Sequence, residues 1–371
     1  MTTDIYKVEA SQDIPAAAAR GVEVLAGGGL VALPTETVYG LAANAASTGA
    51  MRRLREIKQR PEAPFTVHIG DVEQAKAYVA DPPMPARRLM QKAWPGPVTV
   101  VLATGGSLAT TRWNGEVARR ICHKDTIGLR CPDHLLAQYI LRGMGDPVVM
   151  PSANLAGKKP PVTAAQVLAD LDGRIDLLID GGPAPLGEAS TIVSFDGAGR
   201  FHVQREGAYR RQMLEALMRK QVLFVCTGNT CRSPMAEGLT RMELSRRLGC
   251  KESELVDRGW KIMSAGAMAL GGSPATPEAI EAARRLGADI RRHENRPLTA
   301  GLIDSSDLVF CMAGHHVEAV VRLSPTAAGR VRLLDTAGDV PDPMGCPAEV
   351  YHQAAKQIHL AIQARMDEIL N

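Results

Sequence analysis

Aromatic side chains are scarce in this sequence: five Phe, six Tyr and three Trp make about 4% of its 371 residues. A surface that stacks nucleic-acid bases needs such rings in number, so the composition argues against a base-stacking platform. An excess of one charge is lacking too, with 43 Lys and Arg against 40 Asp and Glu, and nothing in that balance demands a polyanionic partner. No apolar run is long enough for a membrane helix. Seven cysteines, an odd number at irregular spacing, make no disulfide framework. No metal-ligand spacing occurs either: His315-His316 has no cysteine pair beside it as a partner, so no metal ligand is expected from protein side chains. With no signal peptide, the expected location is the cytoplasm. The length exceeds what one core usually serves, which predicts two domains.

What is present is concentrated in VLFVCTGNTCRSP, residues 222–234. The apolar run 222–225 is of the kind that forms a buried parallel strand, and it ends on Cys226. Arg232 follows five residues after the intervening loop begins, and Ser233-Pro234 is expected to open a helix, Ser as its cap and Pro near the first helical position. Strand, tight loop and helix N-terminus form an anion cradle, in which backbone N–H groups point inward and Arg232 can hold two phosphate oxygens. The same field is expected to lower the Cys226 thiol. A lone cysteine ending a strand is ordinarily a buried core residue; the bracketing by loop, arginine and helix sets this one apart.

Cys-x5-Arg-Ser between strand and helix resembles the low-molecular-weight protein tyrosine phosphatases, over residues 221–371. The resemblance implies that Cys226 forms a phosphocysteine, that Arg232 stabilises the transferring phosphoryl group, and that Asp342, followed by Pro343, is the general acid and base. It makes Thr227, Gly228, Asn229, Thr230, Cys231 and Ser233 the phosphate loop, with Asn229 and Ser233 shaping the loop and bonding the thiolate. No cofactor is implied. Four β-runs separated by helices predict a doubly wound four-stranded parallel sheet with Cys226 at the carboxyl edge of its first strand. Thr230 stands where these tyrosine phosphatases generally carry an aliphatic residue, and Met344-Gly345 where they present aromatics. The loop is that of bacterial protein-arginine phosphatases, so phosphoarginine competes with phosphotyrosine as the expected substrate. Cys231 reads either as a redox guard of Cys226 or as a small residue fitting a tight loop. An arsenate reductase is a different class on this scaffold, but it needs further cysteines to pass a disulfide outward, and only Cys311 and Cys346 lie within reach of that idea.

The N-terminal half carries a series of short polar groups, each beginning or following a β-rich run. They are PTETVYGL from Pro34, KQRP from Lys58, WPGP from Trp94, GLRCP from Gly128, SANLAG from Ser152 and STIV from Ser190. Lys58 and Arg60 end an amphipathic helix that Pro61 should stop, and two such cations can reach one polyphosphate, although a solvated helix end is the ordinary reading of that pair alone. Six motifs in this order resemble the YrdC-like threonylcarbamoyl-adenylate synthases over roughly residues 14–208, within a domain expected to span 1–208. The fold implied is a twisted mixed sheet with helices, making the whole chain α/β in two domains. The resemblance implies an enzyme that joins L-threonine, bicarbonate and ATP, with Mg2+, and hands the adenylate to a tRNA-modifying transferase complex. The family signature falls on Lys58, Arg60, Ser152 and Asn154 as ATP-binding residues. Thr35, Thr37, Tyr39, Arg130, Ser190 and Arg205 are implied around threonine or a phosphate. Ala156 stands where the family often has Ser, and residues 63–66 match loosely. An RNA-binding module fused to the phosphatase is the non-enzymatic alternative. Residues 209–220 lack Pro and Ser and read as a connecting helix, its apolar face running through Met213, Leu214, Leu217 and Met218.

Overall fold

The computed structural model describes residues 2–60, 64–106, 108, 110, 112–113, 115–196 and 200–370. The chain divides into two compact units, Met1–Met218 and Arg219–Asn371. In the first, the strands are β1 (Asp4–Lys7), β2 (Leu30–Leu33), β3 (Gly40–Asn44), β4 (Val67–His68), β5 (Val98–Ala103), β6 (Cys122–His123), β7 (Thr126–Arg130), β8 (Val148–Val149), β9 (Leu177–Asp180), β10 (Thr191–Phe195) and β11 (Phe201–Arg205). They form one mixed sheet in the order β1-β9-β2-β3-β8-β4-β7-β5-β10-β11, with β6 paired to β7. The helices are α1 (Ile14–Ala26), α2 (Thr48–Lys58), α3 (Met84–Ala93), α4 (Gly115–Ile121), α5 (Leu135–Gly143), α6 (Ala164–Leu171) and α7 (Arg211–Met218). Successive residues of a strand face opposite sides of a sheet, and β2 shows what that does here. Leu30 and Ala32 join the larger buried cluster with Leu41, Leu54 and Val67. Val31 and Leu33 join a second one with Leu25, Ile140 and Ile179. Both faces of the sheet centre are therefore covered, and the polar motif segments emerge at strand ends.

The second unit holds β12 (Lys220–Cys226), α8 (Arg232–Leu248), β13 (Trp260–Gly266), α9 (Pro277–Arg285), α10 (Ala300–Asp304), β14 (Leu308–Cys311), α11 (Gly314–Leu323), β15 (Val331–Leu333) and α12 (Ala348–Leu370). Its sheet is all parallel, ordered β13-β12-β14-β15. All seven residues of β12 are buried, as expected of a parallel strand covered on both faces. The chain leaves β12 for one neighbour, β13, and then crosses to the other, β14. That reversal opens a crevice beyond the carboxyl end of β12, where Cys226 sits.

One expectation is corrected here. The connecting helix does not run to residue 220: α7 ends at Met218, and Lys220 and Gln221 already belong to β12. Leu214 and Met218 of α7 pack into the core of the first unit. Pro61, expected to stop α2, lies outside the described residues; α2 ends at Lys58 with Gln59 as its cap, at a left-handed φ of 48°.

One polar clip between α8 and α12 sets a stability expectation. Burial alone would raise the Glu243 carboxyl, but hydrogen bonds from Gln363, His359 and Arg246 outweigh it and hold the group down at about 2. A depressed carboxylate stabilises the fold above its ordinary value of 4.5 and loses that contribution as pH falls through about 2. Glu243→Gln should therefore destabilise the protein by about 2 kcal/mol at pH 7. The difference from the parent should shrink in thermal melts run progressively below pH 4, whereas a pH-independent gap would mean that the carboxylate charge contributes nothing.

Candidate active sites

A cavity of about 570 Å3 opens in the first unit. Among the described residues its lining includes Thr35, Lys58, Arg60, His68, Arg130, Ser152, Asn154, Ser190 and Arg205. Lys58, at the end of α2, is buried, and its ammonium donates to three acceptors: Ser152 O at 2.9 Å, Asn154 O at 2.8 Å and Asn154 Oδ1 at 2.9 Å. Ser152 Oγ donates to the same Asn154 Oδ1 at 2.5 Å. Asn154 Nδ2 is engaged by the carbonyls of Leu155 and Lys158. Burial, with Arg60 adding to it, brings Lys58 down to about 8, and Asp170 acts in the opposite sense. All three ammonium protons are thus committed to the loop after β8, and the charge stays inside the cavity wall.

The segment after β2 is folded on itself. Thr35 Oγ1 lies 2.8 Å from Thr37 Oγ1 and donates to Val38 O at 2.7 Å. Arg130, at the end of β7, reaches it with one nitrogen, donating to Thr37 Oγ1 and Glu36 Oε1, each at 2.8 Å. Glu36 and Arg130 form a buried ion pair. Arg205 Nε and Nη2 donate to Ser190 O at 3.2 and 2.7 Å, and Ser190 Oγ lies 3.1 Å from Thr99 Oγ1. Among the described residues Thr37 and Tyr39 are absent from the cavity lining. The Tyr39 hydroxyl donates instead to Gly182 O at 2.7 Å and to Asp180 Oδ1 at 3.3 Å. His68 was not anticipated. It is buried on the two-residue strand β4, its imidazole pulled down to about 3 by burial with Arg130 adding to it, so it lines the cavity as a neutral ring. A histidine inside the apolar run 65–69 carries no local mark of such a position.

In the second unit Cys226 ends β12 and the loop to α8 wraps round it. Cys226 Sγ lies 2.9 Å from Ser233 Oγ and accepts from the Asn229 N–H at 3.3 Å. Asn229 is left-handed, with φ 55°, and its side chain is a hub. Nδ2 donates to Ser233 Oγ and Ser264 Oγ, both at 2.9 Å, while Oδ1 accepts from the Arg296 N–H at 2.9 Å. The Asn229 and Gly228 carbonyls face His293 Nε2 and Asn295 Nδ2 at 2.8 and 3.1 Å. Gly266 pairs with Cys226 on the neighbouring strand, and a Cβ there would lie 2.7 Å from Thr227 O and 2.9 Å from Asn229 N. Only glycine lets β13 approach this loop so closely.

Arg232 begins α8 and is 3% exposed. Its Nη1 donates to Val340 O at 3.1 Å, and its Nη2 to Thr227 Oγ1 at 3.3 Å and Asp342 Oδ2 at 2.5 Å. Arg232 Nε is buried without a hydrogen-bond partner. The cap of α8 is Cys231, not Ser233, which is buried and spends its hydroxyl on Cys226 and Asn229. The expected lowering of the Cys226 thiol is also corrected. Burial raises it above its ordinary value, and the Ser233 hydroxyl, backbone N–H groups and Arg232 pull against that without prevailing. Cys231 Sγ has Thr276 Oγ1, Thr230 Oγ1 and Tyr351 Oη at 3.6 to 3.8 Å, and all seven cysteines are free thiols. Thr230 is half-buried, and Met344 is exposed beside Asp342.

Fold and geometry define a chain of two α/β units, the first with basic residues lining a cavity and the second with a buried arginine against a cysteine-bearing loop. Residues 23–207 match the Sua5, YciO and YrdC family, described as telomere recombination, and residues 221–370 match the low molecular weight phosphotyrosine protein phosphatase family. The chain is 42% identical over 166 residues to the threonylcarbamoyl-AMP synthase of Bacillus subtilis, covering 44% of this chain and 46% of that one. It is 34% identical over 178 residues to a putative threonylcarbamoyl-AMP synthase of Mycobacterium tuberculosis, covering 48% and 78%. A solved low molecular weight protein tyrosine phosphatase from T. tengcongensis is 37% identical, with 40% of this chain and 99% of that one covered at a TM-score of 0.36. This chain therefore belongs to the threonylcarbamoyl-AMP synthase family in its N-terminal part, and its C-terminal part, residues 221–370, matches the low molecular weight phosphotyrosine protein phosphatase family. It spans about half the length of the first curated synthases it matches.

Proposed function

We propose that the chain is a bifunctional enzyme. Its first unit makes threonylcarbamoyl-AMP from L-threonine, bicarbonate and ATP for tRNA threonylcarbamoyladenosine modification, and its second removes phosphate from phosphorylated proteins. The observation that carries the first half is the convergence of Lys58, Arg60, Ser152 and Asn154 on one cavity. In the reaction, threonine nitrogen takes up carbon dioxide as a carbamate, whose oxygen attacks the α-phosphate of ATP as pyrophosphate leaves. The nucleotide enters as its magnesium complex, so the cation is part of the substrate. Arg60, exposed at the rim, takes phosphate oxygens directly. Lys58, with its donors committed, acts through its charge and by holding Ser152 and Asn154 for the triphosphate. Thr35, Ser190, Arg130 and Arg205 receive threonine and its carboxylate. Thr37 and Tyr39 act indirectly, Thr37 by anchoring Arg130 and Tyr39 by fixing the segment against Gly182. The adenylate then passes to a tRNA-modifying transferase complex.

For the second half, Arg232 carries the reading, since it touches both the cysteine loop and Asp342. Cys226 gives its proton to a phosphoryl oxygen and its sulfur forms a bond to phosphorus as the bond to the leaving atom breaks, and Asp342 gives that atom a proton. Water then attacks the phosphocysteine, with Asp342 taking back a proton and Cys226 leaving as thiolate. Phosphoarginine is the favoured substrate, because Thr230 and Met344 supply no aromatic wall for a phenol. On matched phosphopeptides the parent should hydrolyse phosphoarginine at least as fast as phosphotyrosine, and Thr230→Ile should move the ratio about tenfold towards phosphotyrosine. A strong phosphotyrosine preference in the parent would sink that assignment.

The deciding experiment for the chain measures pyrophosphate release with radiolabelled bicarbonate, with and without L-threonine. Threonine-dependent pyrophosphate together with a labelled adenylate is expected. RNA binding without turnover would reduce the first unit to a binding module.

A further inference from the structure

His316, on α11, is 1% exposed and lies against the phosphate loop. Its Nε2 is 2.9 Å from Thr227 Oγ1, on the residue that follows the nucleophile candidate Cys226. Its other ring nitrogen, Nδ1, is buried without a hydrogen-bond partner. An orphaned buried N–H is rarer than an under-used acceptor, so the hydrogen belongs on Nε2 and the bare lone pair on Nδ1. Burial, with His315 and Arg232 adding to it against Asp342 and Asp339, brings the ring down to about 4, which leaves it neutral at pH 7. Nε2–H then donates to Thr227 Oγ1. The same oxygen accepts from Arg232 Nη2 at 3.3 Å. Two donors occupy its two lone pairs, and the hydrogen of the Thr227 hydroxyl is left to point at a further acceptor.

We propose that His316 is a positioning residue that fixes Thr227, so that the Thr227 hydroxyl accepts from Arg232 and donates its proton to a phosphoryl oxygen held in the loop. This rests on the phosphatase reading of the second unit. Thr227 becomes a side-chain donor to the phosphoryl group beside the backbone N–H groups, and His316 acts only through it. A purely structural histidine would fill the same space without setting the hydroxyl.

The test compares the full chain with Thr227→Val, His316→Phe, His316→Gln and the Thr227→Val/His316→Phe pair, using phosphopeptide kinetics and 15N-histidine NMR. The His316 signal, identified by its loss in His316→Phe, should report a neutral ring protonated on Nε2. Thr227→Val and His316→Phe should each lower kcat/KM about tenfold, as loss of one interaction worth about 1.4 kcal/mol would. The double variant should lose no more than either alone. His316→Gln, whose amide reaches the Nε2 position, should recover most of the rate. A ring protonated on Nδ1, additive losses, or a fully active Thr227→Val would overturn the inference. A parent that hydrolyses no phosphopeptide would overturn the phosphatase reading itself, which separates the two failures.

Discussion

Arg232→Lys protein should lose about 10^2 to 10^3 in phosphatase kcat while keeping its fold, because the guanidinium is asked for more than a charge. Its Nη1 and Nη2 are held by Val340 O, Thr227 Oγ1 and Asp342, and its buried Nε has no protein partner. A planar fork fixed at two corners, with a third donor unmet, is laid out for an oxyanion that accepts from it side-on. Lysine would put one mobile ammonium in that place and could not hold the Val340 carbonyl, the Thr227 hydroxyl and a phosphoryl group together. Saturating kinetics on a phosphopeptide, with thermal melting as the control for folding, reads the effect. A lysine variant within threefold of the parent would remove Arg232 from transition-state stabilisation.

The second large effect is expected at Lys58. Lys58→Ala should lower threonine-dependent pyrophosphate release by 10^2-fold or more. It removes the charge facing the triphosphate and also frees Ser152 and Asn154, whose oxygens the ammonium holds at 2.8 to 2.9 Å. Charge and scaffolding can be separated by pH. With the amine brought down to about 8 by burial and Arg60, the protonated, active form is lost as pH rises through that value. The parent's kcat/KM should therefore fall on the alkaline side of about pH 8. Lys58→Arg, which cannot deprotonate there, should be slower at pH 7 but lack that limb. An alkaline limb unchanged in Lys58→Arg would assign the titration to another group.

The features legible in the sequence are those written within a few residues. The phosphate loop lies between a fully buried strand and a helix, so strand, nucleophile and arginine could be read from one stretch of chain. Lys58, Arg60, Ser152 and Asn154 were read through resemblance, and the cavity lining contains all four. What escaped depends on contacts made across long separations. Glu36 and Arg130 pair across 94 residues, so the cation expected for substrate is also tied to a buried carboxylate that no local pattern announces. Tyr39 shares a motif with Thr35 but turns to Asp180 and Gly182, 141 and 143 residues on. His316 reaches Thr227 over 89 residues, and no local pattern marks it. Boundaries failed for a different reason. The apolar stripe of α7 gives no stop signal, and the polar Lys220 and Gln221 look helical until Gln221 meets Asp307, Ser305 and Ser306 at the amino end of the interior strand β12. Ser233 looks like a cap, yet the thiol and Asn229 claim its hydroxyl.

The hub at Asn229 has a thermodynamic meaning. A left-handed backbone costs a residue with a Cβ about 1–2 kcal/mol, and this one is held by Ser233, Ser264, Arg296 and His293 from three parts of the second unit. The loop's conformational entropy is lost when the chain folds, once, and is not lost again at each encounter with an oxyanion. Free energy of association is then left for discriminating between ligands, and the strain stored at one asparagine is the cost of keeping the loop in a single shape.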